Sequence, residues 1–208
     1  MNHLFPDTTY GCESGGDPKN IPDLTYENFL NFHRTYYHPS NSYIYLYGNM
    51  DMEEKLAFLD EHYLSHFDYL DVDSVIQEQK AFGACQDVTL EYPVAENEGE
   101  EDNTYLSYNM VVGNAADSQM AMAFEVLDYA LLSAPGAPLK QALLDVKAGK
   151  DVYGSYDDGI LQPYFTVIAK GSNPDRKEEF VSVIRQVLGD IVKNGIDRES
   201  CRGRNQLL

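Results

Sequence analysis

The stretch Tyr164-Phe165-Thr166-Val167-Ile168-Ala169-Lys170-Gly171-Ser172-Asn173-Pro174 decides how the fold is read. β-Branched and aromatic residues over 164–169 predict a strand, and Gly171 predicts a turn. Asn173 followed by Pro174 predicts a helix start. Proline at the first helical position gives up only an N–H that has no partner inside the helix. Phe180, Ile184, Val187, Leu188 and Ile191 then recur at helical spacing, and Gly195 closes the stripe. The same grammar occurs 123 positions earlier. Ser42–Tyr47 (SYIYLY) reads as a short buried strand and Gly48-Asn49 as a turn. Asp51 reads as the cap of a helix with Glu54 as its capping-box partner, and Met52, Leu56, Leu59 and Tyr63 line the inner face. Duplication and convergent βα grammar account for this echo equally well.

Working outward, residues 1–24 are rich in Gly, Pro, Asp and Asn and read as turns. A helix is predicted from Thr25 to the stop at Pro39, with Leu24, Phe29, Phe32 and Tyr36 on one face. Residues 67–85 lose this pattern and read as a crossover. Val88, Leu90, Tyr92 and Val94 alternate with polar residues, as do Leu106, Tyr108, Met110 and Val112, so two strands are predicted, joined by an acidic loop. Helices are predicted over 117–132 and 138–146, and a strand over 152–156. A further helix is predicted from Asp197 to Leu208, with no completed stripe and no stop signal.

The composition limits the function classes. The 208 residues carry 15 Lys+Arg against 34 Asp+Glu, a net charge of −19. Of these, 21 acids and 4 bases fall in residues 1–104. A nucleic-acid or anionic-membrane surface needs clustered Lys and Arg, so neither partner is expected. No apolar stretch reaches the roughly 18 residues of a membrane span and no leader pattern is present, which suggests a cytoplasmic setting if the source is bacterial. Cys12, Cys85 and Cys201 are odd in number and far apart, which fits a reducing compartment. The run Glu96–Asp102 reads as a solvated loop. A cation or basic-peptide site is the sharper alternative, but the run lacks the ligand spacing of a calcium loop.

No catalytic constellation is visible. His62 and His66 have the i, i+4 spacing of a zinc pair, but Tyr63 and Ser65 occupy the inner positions where a hydrolytic site needs a glutamate base. His33 and His38 flank a helix end and read as packing or capping groups. Gly15-Gly16 is followed by Asp17-Pro18, which is unsuited to phosphate, and Cys12 has no basic neighbour to activate it. Tyr43, Tyr45 and Tyr47 share one strand face and read as sheet packing.

Several ordered segments carry a resemblance. They are Leu4-Phe5-Pro6-Asp7-Thr8-Thr9-Tyr10, Ser14-Gly15-Gly16-Asp17-Pro18, Ile21-Pro22-Asp23-Leu24-Thr25, Phe32-His33, Tyr36-Tyr37-His38-Pro39-Ser40-Asn41-Ser42, Tyr47-Gly48-Asn49-Met50-Asp51, Pro135-Gly136-Ala137-Pro138-Leu139 and Gly149-Lys150-Asp151-Val152. Together they resemble the presequence-protease branch of the insulinase-like (pitrilysin-type) zinc metallopeptidases. The resemblance implies an α+β fold of repeated metallohydrolase domains, each with an antiparallel-rich sheet packed against helices. It also implies a parent several times longer, whose four domains close around a chamber for unstructured peptides. In that family zinc sits on an H-x-x-E-H motif with a distant glutamate as third ligand, and the motif glutamate is the general base.

No position in 1–208 matches that motif. No catalytic, cofactor-binding or metal-ligating residue is therefore assigned, and no zinc is expected in this chain. By resemblance, residues 1–66 correspond to the C-terminal part of a first, catalytic-type domain. Residues 67–85 correspond to a crossover, and 86–208 to a second, non-catalytic domain cut short. The implied function is an inactive fragment of a zinc metalloendopeptidase, whose partners are the rest of the same polypeptide and the parent's peptide substrates. The alternative is a non-catalytic scaffold or binding subunit of the same fold. Apolar faces left open in a fragment also predict self-association.

Overall fold

The computed structural model describes residues 1–96 and 99–196; the helix predicted from Asp197 lies outside them. The chain divides into two compact units. One comprises residues 3–7 and 78–208 with Met1, and the other residues 8–77 with Asn2.

The larger unit is built on three antiparallel strands, β1 (Thr104–Val111), β2 (Asp151–Asp157) and β3 (Tyr164–Ser172), in the order β1-β3-β2. The register pairs Leu106 and Val152 with Ala169, Tyr108 and Gly154 with Val167, and Met110 and Tyr156 with Phe165. Side chains alternate between sheet faces, so these residues share one face. Against it pack α3 (Ser118–Asp128), α4 (Pro138–Asp145) and α5 (Lys177–Asn194). Leu139 and Leu143 of α4 and Phe180 and Ile184 of α5 are fully buried, and Val187, Leu188 and Ile191 continue the α5 stripe at the margin of the core. This is an α+β layer of helices on an antiparallel sheet.

Two glycines are dictated by packing. A Cβ at Gly154 would run into the Thr166 carbonyl oxygen and a Leu132 methyl group, and one at Gly149 would approach the Lys170 carbonyl oxygen to 2.7 Å. After α3 the chain takes one π turn, Tyr129–Ser133, in which the Ala134 N–H donates to the Tyr129 carbonyl at 2.7 Å. The helix predicted over 117–132 is thus α-helical only to Asp128.

The N-terminal segment is part of this unit. Phe5 is fully buried, with its ring edge-on to Tyr164 at 6.4 Å. Gln79 pins the neighbouring backbone. Its Oε1 accepts from the Asp7 N–H at 2.9 Å, its Nε2 donates to Asp7 Oδ2 at 2.7 Å, and its own N–H donates to Gln162 Oε1 at 2.6 Å.

The smaller unit holds α1 (Tyr26–Tyr36) and α2 (Met52–His62). Both begin as the residue chemistry dictates: Thr25 Oγ1 accepts from the Asn28 N–H and Asp51 Oδ1 from the Glu54 N–H, each at 3.1 Å. The Glu54 carboxylate engages Lys55 Nζ at 2.8 Å. No residue from 8 to 77 is buried.

Three expectations are corrected. Ser42–Tyr47 is neither buried nor part of a sheet, because the described residues of its unit offer no second strand to pair with. Residues 88–94 are likewise exposed and outside the ladder. Pro93 removes one donor, and the Tyr92 hydroxyl donates to the Asn103 carbonyl while its ring meets Tyr105 at 5.9 Å. Asn173 does not cap α5 with its side chain, and a 3₁₀ turn, Pro174–Arg176, precedes that helix. Gly171 and Gly48, the two turn glycines of the internal echo, both have positive φ (68° and 135°). That conformation favours glycine.

Candidate interaction surface

The two-histidine spacing is broken by the backbone. α2 ends at His62, Tyr63 leaves helical geometry at φ −140°, ψ −65°, and His66 sits in a separate 3₁₀ turn. His62 packs on the Phe58 ring at 4.5 Å. His33 stacks on Tyr37 at 4.8 Å, and His38 Nδ1 accepts from the Ser40 N–H at 3.2 Å. Each imidazole other than those of His3 and His66 is thus engaged by a local neighbour. Among the described residues no three His, Cys, Asp or Glu side chains converge as a metal site would require. Cys12 and Cys85 are exposed and unpaired by disulfide, and Cys201 lies outside the described residues.

The acidic run ends in a clasp that sequence reasoning missed. Asp102 adopts φ +56°. Its N–H donates to Asn173 Oδ1 and its Oδ1 accepts from Asn173 Nδ2, both at 2.8 Å, while Lys150 Nζ lies 3.2 Å from Oδ2. The Asn173 amide, then the Lys150 ammonium, hold the Asp102 carboxyl below its usual range. The clasp ties the loop to the β3–α5 turn, so this end of the run is a structural fastening. Asn97 and Glu98 lie outside the described residues. Beside the clasp a cleft of about 300 Å³ is bounded by Tyr105, Lys150, Asp151 and Lys170. A second, of about 490 Å³, is bounded by Ser133, Pro135, Lys140, Gln141, Tyr153 and Gly154.

Two tyrosines are shifted upward. Burial raises Tyr164 first, and its hydroxyl donates to Asp157 Oδ2 at 3.0 Å. Burial also raises Tyr156, with Asp158, Glu125 and Asp117 adding to it. Both hydroxyls stay protonated at neutral pH and serve the packing of β2 and β3.

The most prominent surface is apolar and lies on the smaller unit. Tyr43, Tyr45 and Tyr47 are 104%, 85% and 85% exposed, and Ile44 is 47% exposed on the alternate face. Phe29 and Phe32 on α1 and Leu56 and Phe58 on α2 are exposed as well. A stable unit of this size buries such residues. These residues therefore leave apolar surface of the smaller unit uncovered. Among the described residues no helix is long and apolar enough to cross a membrane.

The larger unit, an antiparallel sheet packed under helices, defines an α+β domain. The chain belongs to the insulinase-like M16 peptidase family: residues 23–206 match the Peptidase M16 inactive domain. It is 47% identical to Protein HypA of Clostridium perfringens over 196 residues, covering 94% of this chain and 20% of that protein. Against Presequence protease 1, chloroplastic/mitochondrial, of Arabidopsis thaliana it is 34% identical over 201 residues, covering 95% of this chain and 18% of that protein. The fold is similar to a crystal structure of an M16-like peptidase from Alicyclobacillus acidocaldarius, with a TM-score of 0.53 at 19% identity, covering 94% of this chain and 46% of that one. The chain thus spans about a fifth of the length of the curated relatives it matches.

Proposed function

We propose that residues 1–208 belong to a zinc-dependent metalloendopeptidase that degrades unstructured peptides inside a closed chamber, and that this stretch is chamber wall without catalytic groups of its own. The carrying observation is the span: 95% of the chain corresponds to 18% of a presequence protease. In this reading 1–66 complete a first domain, 67–85 cross over, and 86–208 form a second domain that does no chemistry. The lack of any buried residue in 8–77 supports the first assignment. A segment that buries nothing by itself needs further polypeptide to offset the entropy of its ordering.

The metal that the family implies does not fit the described residues. Their donors do not converge, and the end of α2 parts His62 from His66. Zinc chemistry in this reading belongs to other parts of a longer polypeptide. The acidity serves the same reading: a negative wall raises the encounter rate of basic peptides, and the effect weakens with salt.

The test is to express the longer reading frame that holds these residues, measure bound zinc, and assay cleavage of an unstructured peptide. One zinc per chain with cleavage is expected, and the 208-residue chain alone should show neither. A longer protein without zinc and without cleavage would sink the peptidase reading. It would leave a non-catalytic scaffold or binding subunit, which the match to an inactive domain favours.

A further inference from the structure

We propose that Asn194-Gly195 is a modification site at which the asparagine converts, without an enzyme, to aspartate and isoaspartate through a cyclic imide. Asn194 is the one asparagine of this chain followed by glycine. It is the last residue of α5 and is exposed. Gly195 follows at φ 83°, and a Cβ placed there would meet nothing within 4 Å, so the space around it is open. Other asparagine amides are held in place. Asn41 Nδ2 donates to the Tyr36 carbonyl and Asn103 Nδ2 to the Gly99 carbonyl, both at 2.9 Å, Asn114 Nδ2 to Glu78 Oε1 at 2.6 Å, and Asn173 Nδ2 to Asp102 Oδ1. Among the described residues the Asn194 side chain has no such partner.

The step needs only water and a base from the buffer. The Gly195 nitrogen gives up its proton and attacks the side-chain carbonyl carbon of Asn194. A C–N bond forms, the bond to the side-chain nitrogen breaks, and that nitrogen leaves as ammonia. Water then opens the imide ring at either carbonyl, giving aspartate or isoaspartate, and nothing is oxidised or reduced. Glycine suits the step because no side chain crowds its nitrogen. One bond opposes it in the folded chain: the Gly195 N–H donates to the Ile191 carbonyl at 2.8 Å. That bond lies at a helix end, where fraying is easiest.

The product alters this end of α5. It places a carboxylate beside the last carbonyls of the helix, the negative end of its dipole. Isoaspartate also inserts an extra backbone carbon before Ile196, which packs with Ile191 at the margin of the core. The conversion is thus a one-way loosening of the α5 terminus that accumulates with the age of the chain. The inference does not rest on the peptidase reading.

Incubating the folded 208-residue chain in mildly alkaline buffer tests it, with ammonia release and peptide mapping by electron-transfer fragmentation as readouts. A synthetic peptide of residues 188–196 gives the rate without the fold. Fraying termini open at a cost near zero and about 1.4 kcal/mol is a factor of ten, so the folded chain should convert within about tenfold of the peptide. Aspartate and isoaspartate should appear at position 194 while Asn41, Asn103, Asn114 and Asn173 keep their amides. Asn194→Gln should lose the ammonia release. Hydrogen exchange in the last turn of α5 should be faster in the converted chain than in the fresh one. Conversion more than about tenfold slower than in the peptide overturns the inference. So does conversion as fast at any of the four held asparagines, ammonia release undiminished in Asn194→Gln, or exchange in α5 that conversion leaves unchanged.

Discussion

Replacing Phe5 by alanine tests whether the N-terminal segment is part of the larger unit's core. Phe5 is fully buried, and its ring meets Tyr164 edge-on at the start of β3. Truncating a buried phenylalanine removes its transfer free energy and leaves a cavity, together about 3–5 kcal/mol. The aromatic pair, worth about 0.5–1.5 kcal/mol, places the expectation in the upper part of that range. The hydrogen bonds of Asp7 with Gln79 are untouched, so the loss isolates packing. Native-state hydrogen exchange of the β3 amides is the suitable assay. It reports opening of this unit whatever the smaller unit does. At tenfold per 1.4 kcal/mol, exchange should accelerate roughly 10²–10⁴-fold. Val192→Ala, at an exposed position, should stay within about 0.5 kcal/mol. Acceleration of less than about tenfold for Phe5→Ala would refute the reasoning, because it would mean the segment is laid on the unit and not built into it.

Three more outcomes follow from the geometry. Gly154→Ala forces a Cβ against the Thr166 carbonyl and Leu132 and should cost about 1–3 kcal/mol or more, read as a drop in denaturation midpoint; an unchanged midpoint would contradict the close approach of β2 to β3. Tyr156→Phe removes a buried hydroxyl that meets no hydrogen-bond partner among the described residues, so stability should be unchanged or rise by up to about 1 kcal/mol; a clear loss would reveal a partner. Asp102 is held lower in the folded chain than its usual 3.8, so its clasp stabilises above the ordinary carboxylate range and is lost as pH falls through the lowered value. A carbon-detected titration of Asp102 should show that depression and Asn173→Ala should reduce it, whereas a value at or above 3.8 would dismiss the clasp.

What was legible in the sequence was local. Thr25, Asp51 and Asp117 start helices where their side chains accept the first free N–H groups, and such capping needs only neighbours within three residues. The α5 stripe was legible because the residues recurring at helical spacing are those facing the core. Pairing is not local. Ser42–Tyr47 and 88–94 have strand composition, but a ladder needs a partner in register, which composition cannot supply. Asn173 carried a capping signal and was taken by Asp102, 71 positions away, and no local rule anticipates that competition. The histidine pair failed on one residue, Tyr63, whose backbone ends α2 between the two imidazoles. The interaction surface was misread for the same reason as the strands: tyrosines two apart report a shared face, not whether anything covers it.

The burial of Phe5 against Tyr164 also sets an order of events during synthesis. Phe5 leaves the ribosome roughly 160 residues before Tyr164, which at about 5–20 residues per second is a wait of some 8–30 s. β3, the middle strand, is also the last of the three to be made. Until it emerges, β1 and β2 have no common neighbour and Phe5 has no pocket. The larger unit therefore cannot close its core progressively from the N-terminus. It must hold an exposed aromatic in reserve while the smaller unit is translated, and then two unpaired strands until β3 follows, a window in which a chaperone that binds extended apolar chain would find its substrate.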